Sequence, residues 1–94
     1  MGSIIVNAIL KPKEGFEEQL LSELKEVQAA SKQEKGCINY KLHKSIEDNT
    51  FVLYEEWENN EAIENHIKSN HYQIYRENIS DIVLTREIHK LEMI

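Results

Sequence analysis

The stretch that decides the fold is "CINYKLHKSIEDNTFVLYEEW", Cys37 to Trp57. Its first part, Cys37 to Ser45, alternates, with Ile38, Tyr40 and Leu42 on one face. Its last part, Phe51 to Trp57, is aromatic and β-branched. Both read as strands. Between them Glu47 to Thr50 has the composition of a turn. The segment is therefore a hairpin in the middle of the chain, and what flanks it on each side sets the topology.

Upstream, "IIVNAILK" (Ile4 to Lys11) is short, β-branched and apolar on both faces, a buried strand closed by Pro12 and Gly15. From Phe16 the apolar spacing changes to steps of four, four and three through Leu20, Leu24 and Val27, with Glu17, Glu18, Glu23, Lys25 and Glu26 between them. This is an amphipathic helix that should stop before Gly36. Downstream, Asn59 or Asn60 is placed to cap a helix beginning near Glu61. Ser69-Asn70 interrupts that helix, and a second short helix carries Tyr72, Ile74, Tyr75, Ile79 and Ile82. Thr85 to Met93 alternates again and forms the last strand. The predicted order is β-α-β-β-α-β, a ferredoxin-like α+β fold with an antiparallel sheet and helices on one face. The other sheet face has apolar candidates from every strand and needs a cover, which in so short a chain is a second copy of itself.

The 94 residues make one domain, without linker, repeat or low-complexity tract. A net charge of −6, with no block of Lys or Arg, argues against nucleic acid as a partner. No apolar run reaches the length of a membrane span. Met1-Gly2-Ser3 does not begin a signal peptide, and Val6 breaks the myristoylation pattern. The single cysteine, Cys37, excludes an internal disulfide and fits a reducing cytoplasm. It reads as a small buried residue rather than a nucleophile.

Several residues carry the chemistry. Alternation puts Phe51, Leu53, Glu55 and Trp57 on one strand face, so Glu55 sits among large apolar neighbours and needs a partner. His66 is one candidate. A His–carboxylate pair suits general acid–base work, and it is equally an ordinary way to satisfy a semi-buried His. Trp57 can line a pocket for a flat ligand or serve as core or dimer contact. Asn7 alternates with Ile5 and Ile9, so its amide requires a neighbouring strand, a water or a ligand. His66 and His71 are five apart with a helix break between them, whereas ligands on one helix want spacings of three or four. His43 and His89 belong to other strands, so no metal site is expected. Phosphate loop, dinucleotide fingerprint and serine elbow are all missing from the sequence, so no nucleotide cofactor is expected either.

The chain resembles the antibiotic biosynthesis monooxygenase domain family. The shared features are Asn7 in the first strand, Gly36-Cys37-x-x-Tyr40, Tyr54-Glu55-x-Trp57 and His66-x-x-Ser69-x-His71-Tyr72, in order, from Ile4 to about Leu91. The resemblance implies a homodimeric α+β barrel with a pocket in each subunit. It implies oxidation of a small aromatic, quinol or anthrone-like substrate by O2 without cofactor, the deprotonated substrate supplying the electrons. Asn7 would hydrogen-bond the substrate oxygen, Trp57 would shape the cavity, and His66, oriented by Glu55, would move protons. Phe16, Leu20, His71, Tyr72 and Tyr75 would complete the pocket. A haem-degrading branch of the family looks for a Trp and, ten residues later, a His where this chain has His66 and Arg76, so haem degradation is not expected. A branch that isomerises a phosphorylated signal molecule is similar from His66 to Tyr72 but lacks the Trp at the place of Trp57. The alternatives are thus an acid–base isomerase and a non-catalytic ligand-binding dimer.

Overall fold

A computed structural model describes residues 2–94. The elements run β1 (Ile4–Pro12), α1 (Glu17–Ser31), β2 (Cys37–Lys44), β3 (Phe51–Trp57), α2 (Asn60–Lys68), α3 (Asn70–Ile79) and β4 (Val83–Glu92). The four strands form one antiparallel sheet in the order β2-β3-β1-β4. This is the ferredoxin-like arrangement expected. No helix among the described residues is long and apolar enough to cross a membrane.

The two sheet faces differ. Val6, Ala8 and Leu10 of β1 and Phe51, Leu53, Glu55 and Trp57 of β3 are buried beneath the helices. Leu20, Leu24 and Val27 of α1, Ile63 of α2, and Tyr75 and Ile79 of α3 close the core from above. Burying this set is the main stabilising contribution available to so small a chain. The opposite face carries Ile5, Asn7 and Ile9 of β1, Val52 and Tyr54 of β3, and Leu91 of β4, all partly or fully open to solvent. It has no cover among the described residues.

The first helix stops before Gly36, as expected: it ends at Ser31, and the chain turns over the next five residues. Two local expectations need correction. Ile82, expected on the second short helix, lies beyond its end at Ile79, though it is still buried. Ile38 does not share a face with Tyr40 and Leu42. The β2–β3 register shifts between Cys37 and Asn39, and this bulge turns Ile38 out to 48 % exposure.

Gly36 positions the turn. Its φ of +94° is one that side chains disfavour, and a Cβ there would lie 2.7 Å from the Ala62 Cβ. Its carbonyl accepts a hydrogen bond from the Glu58 amide at 2.9 Å. The α1–β2 turn is thereby held against the start of α2, which brings Glu34 to the helical side of the site.

Candidate active site

The site begins with a break between two helices. Ser69 has extended backbone (φ −66°, ψ 151°) and caps both α2 and α3. Its Oγ donates to the His66 carbonyl at 2.6 Å and accepts from the Tyr72 amide at 3.3 Å. The chain changes direction there, and His71 in the first turn of α3 swings toward His66. Glu34 meets both rings. Its Oε2 is 2.6 Å from His66 Nδ1 and 2.7 Å from His71 Nε2.

This contact assigns the tautomer. A carboxylate only accepts, so the nitrogens facing Glu34 carry the protons. His66 is then Nδ1–H, and its Nε2 holds a lone pair. The His66 side chain is almost fully buried, packed between Trp57 at a ring separation of 4.5 Å and Tyr72 at 4.7 Å. Burial holds its imidazole below the ordinary value, against the upward pull of the Glu34 hydrogen bond and charge. A neutral ring with one fixed proton and one open lone pair is a proton acceptor.

His66 lines a cavity of about 70 Å³ between sheet and helices. Tyr40, Glu55, Tyr72, Tyr75 and Arg86 supply its polar atoms, and Val6, Ala8, Leu53, Ile63, Ile67 and Ile88 supply apolar wall. Glu55 stands in register between Tyr40 on β2 and Val6 on β1. Its Oε1 accepts from Trp57 Nε1 at 2.9 Å. Burial pushes its carboxyl up to about 7, opposed by the Trp57 hydrogen bond and the Arg86 charge. Burial likewise raises the Tyr40 and Tyr75 phenols, so both are neutral donors at physiological pH. Arg86 donates to Tyr72 Oη at 2.9 Å and makes no salt bridge with any described carboxylate.

The structure divides the residues expected from sequence. His66, Glu55, Tyr72 and Tyr75 do line one cavity. Glu55 is held by Trp57 rather than by His66, because the His66 ring turns its Nδ1 toward the α1–β2 turn. Trp57 is fully buried behind His66 and shapes the site by backing it, not by lining it. Asn7 is on the other face of the sheet, in register with Tyr54 and His89, and its buried Oδ1 has no partner. It cannot share a substrate with His66 inside one subunit. Phe16 is the exposed cap of α1 and Leu20 a core residue, and neither reaches the cavity. His71 lies outside it and takes part through Glu34. Cys37 is half-buried, and burial pushes its thiol up to about 11, which leaves it protonated and unreactive.

Tyr40 and Arg86 line the cavity and Glu34 holds His66, and none of the three was singled out as a site residue from the sequence. Tyr40 belonged to the Gly-Cys-x-x-Tyr signature and alternates onto the Glu55 face, so its place was readable. Arg86 is one of two cations, with Lys90, that strand alternation points at the helices, opposite Leu10 and Val6. Glu34 had no periodicity to mark it, because it lies in a turn.

The family model for antibiotic biosynthesis monooxygenase matches residues 3–78. The chain is 34 % identical over 71 residues to a Bacillus subtilis (strain 168) protein named "Putative monooxygenase YcnE", covering 74 % of this chain and 75 % of the relative. PA3566 from Pseudomonas aeruginosa superposes with a TM-score of 0.95 at 25 % identity, over 100 % of this chain and 96 % of that one. A "Putative antibiotic biosynthesis monooxygenase" from Nitrosomonas europaea gives a TM-score of 0.94 at 20 % identity, over 99 % and 92 % of the two chains, a likeness of fold.

Proposed function

The chain belongs to the antibiotic biosynthesis monooxygenase family, and from that premise we propose that it oxidises a small electron-rich phenol, of quinol or anthrone type, with O2 and without an organic cofactor. The observation that carries the reading is the Glu34–His66 pair, which fixes Nδ1–H and leaves Nε2 without a hydrogen-bond partner on a residue that lines the cavity. His66 takes the proton of the substrate hydroxyl or of its enol. The Arg86 guanidinium, free of any carboxylate, stabilises the anion that forms. The electron-rich anion reduces O2 and joins to it at carbon, giving a hydroperoxide. Loss of water from the hydroperoxide turns a ring CH2 into C=O, so the substrate supplies every electron. Glu55, which titrates near neutrality, is placed to protonate the departing hydroxide.

The cavity must enlarge for this. A cavity that accepts benzene is about 150 Å³, twice the space seen here. Two side-chain bridges close the seam between β4 and the helices: Arg86 to Tyr72 Oη, and Lys90 Nζ to Asn60 Oδ1 at 2.7 Å. Substrate binding on this reading exchanges those bonds for contacts with its own oxygens.

A second reading is favoured by the presence of two proton-handling groups, His66 and Glu55, in one cavity. An isomerase needs one group to remove a proton and another to return it, and it needs no oxygen. Oxygen uptake separates the two. For the oxygenase, His66→Gln lowers uptake by about 100-fold or more, within the usual range for loss of a general base. Wild-type protein that converts a substrate equally well under nitrogen overturns the oxygenase reading.

The uncovered sheet face supports a homodimer of α+β barrel type, with the second copy burying Ile5, Ile9, Val52 and Tyr54 and meeting the unpartnered Asn7 amide. The lone unreactive thiol accords with a cytoplasmic location.

A further inference from the structure

We propose that Glu34, His66 and His71 form a binding site for a divalent transition-metal ion of the zinc class, and that the ion switches His66 from proton acceptor to proton donor. Three ligand atoms, one carboxylate oxygen and two imidazole nitrogens, lie within 4.8 Å of one another. They come from three elements: the α1–β2 turn, α2 and the first turn of α3. The helix break at Ser69 brings together two histidines whose five-residue spacing on a continuous helix would have kept them apart.

The chemistry of the set fits such an ion. Two imidazoles and one carboxylate leave open positions for water, and this borderline N/O donor set suits zinc, cobalt or iron(II) over calcium or magnesium. The His71 side chain is 30 % exposed and Glu34 14 %, so the ion has a path from solvent. The present N···O separations of 2.6 and 2.7 Å are hydrogen-bond distances. Tetrahedral coordination at about 2.0–2.1 Å requires them to open by roughly 0.7 Å, which the torsions of Glu34 allow.

The consequence at His66 follows from proton count. Without metal, Nδ1 carries the proton and Nε2 the lone pair. An ion on Nδ1 needs that lone pair, so the single ring proton moves to Nε2. No proton is gained or lost by the ring, yet Nε2 changes from acceptor to donor. The ion stays outside the cavity and blocks turnover by occupying the other side of the base. This consequence for turnover rests on the oxygenase reading, whereas the site itself does not.

The test is a Co(II) titration of chelator-treated protein, read by its visible d–d absorption, with no substrate present. One equivalent should bind, and Glu34→Gln and His71→Asn should each weaken binding by more than about tenfold. The double variant His43→Asn/His89→Asn, which removes the imidazoles outside the site, should bind as wild type does. Ring ¹⁵N shifts with Zn(II) should show the His66 proton moving from Nδ1 to Nε2. Binding that is absent, or indifferent to Glu34→Gln and His71→Asn, overturns the site. Binding that leaves the His66 tautomer unchanged overturns the switch. Failure of oxygen uptake in metal-free protein bears only on the oxygenase reading.

Discussion

Glu55 keeps a carboxyl group inside an apolar wall, and that has a measurable cost. Its folded-state value is near 7 and its ordinary value 4.5. The folded protein therefore holds a proton that the unfolded chain has already released between those two values. Stability is fully present below about 4.5 and falls as pH rises through 7. Urea unfolding from pH 5 to pH 8 should show a loss on the order of 2–3 kcal/mol attributable to this group. Glu55→Gln should flatten that slope while the fold stays intact. An unchanged slope in the variant would remove Glu55 from the account. Trp57→Phe takes away the hydrogen bond that favours the ionised carboxyl, so it should move the same transition to higher pH.

At the scale of the elements, Ser69 has the most to lose. One hydroxyl caps the end of α2 and the start of α3. Ser69→Ala should cost about 1–2 kcal/mol by chemical denaturation. It should also loosen His71 from Glu34, seen as a change in the His71 ring resonances. The elements themselves were legible in the sequence because period-two and period-3.6 patterns survive in short segments. Phe51 to Trp57 alternated so cleanly that the buried positions of β3 were readable in full. The site was less legible. His66 and Glu55 sit on periodic elements and were found as individuals, but their pairing was not. The partner of His66 is in a turn, where side-chain direction follows from Gly36 and the α2 cap rather than from any repeat. For the same reason His66 and His71 looked too far apart for joint ligation. Their convergence depends on the backbone angle at Ser69, which composition does not encode. Asn7 was correctly placed with Ile5 and Ile9, yet which face of the sheet held the cavity was open until the helices were positioned.

For the whole molecule, the question is what covers the second sheet face. Ile5, Ile9, Val52 and Tyr54 lie around the Asn7 amide on that face, flanked by Lys41 and His43 of β2, Glu56 of β3 and Glu87 and His89 of β4. A chain of this size buries a modest fraction of its surface alone, and burying this face in a second copy would add to its stability. Sedimentation equilibrium should give a dimer. Ile9→Glu, which puts a charge at the centre of the face, should give a monomer with a lower and concentration-independent melting temperature. A wild-type monomer at micromolar concentration would refute the barrel arrangement. It would leave the cavity untouched, since that lies on the opposite face within one subunit.

Proton removal by His66 is tested by oxygen consumption of chelator-treated protein with a small set of quinols and anthrones, wild type beside His66→Gln. Uptake should require both protein and substrate, need no added cofactor, and fall by about 100-fold or more in the variant. Equal uptake by the two proteins, or turnover of a substrate with no oxygen consumed, would contradict it.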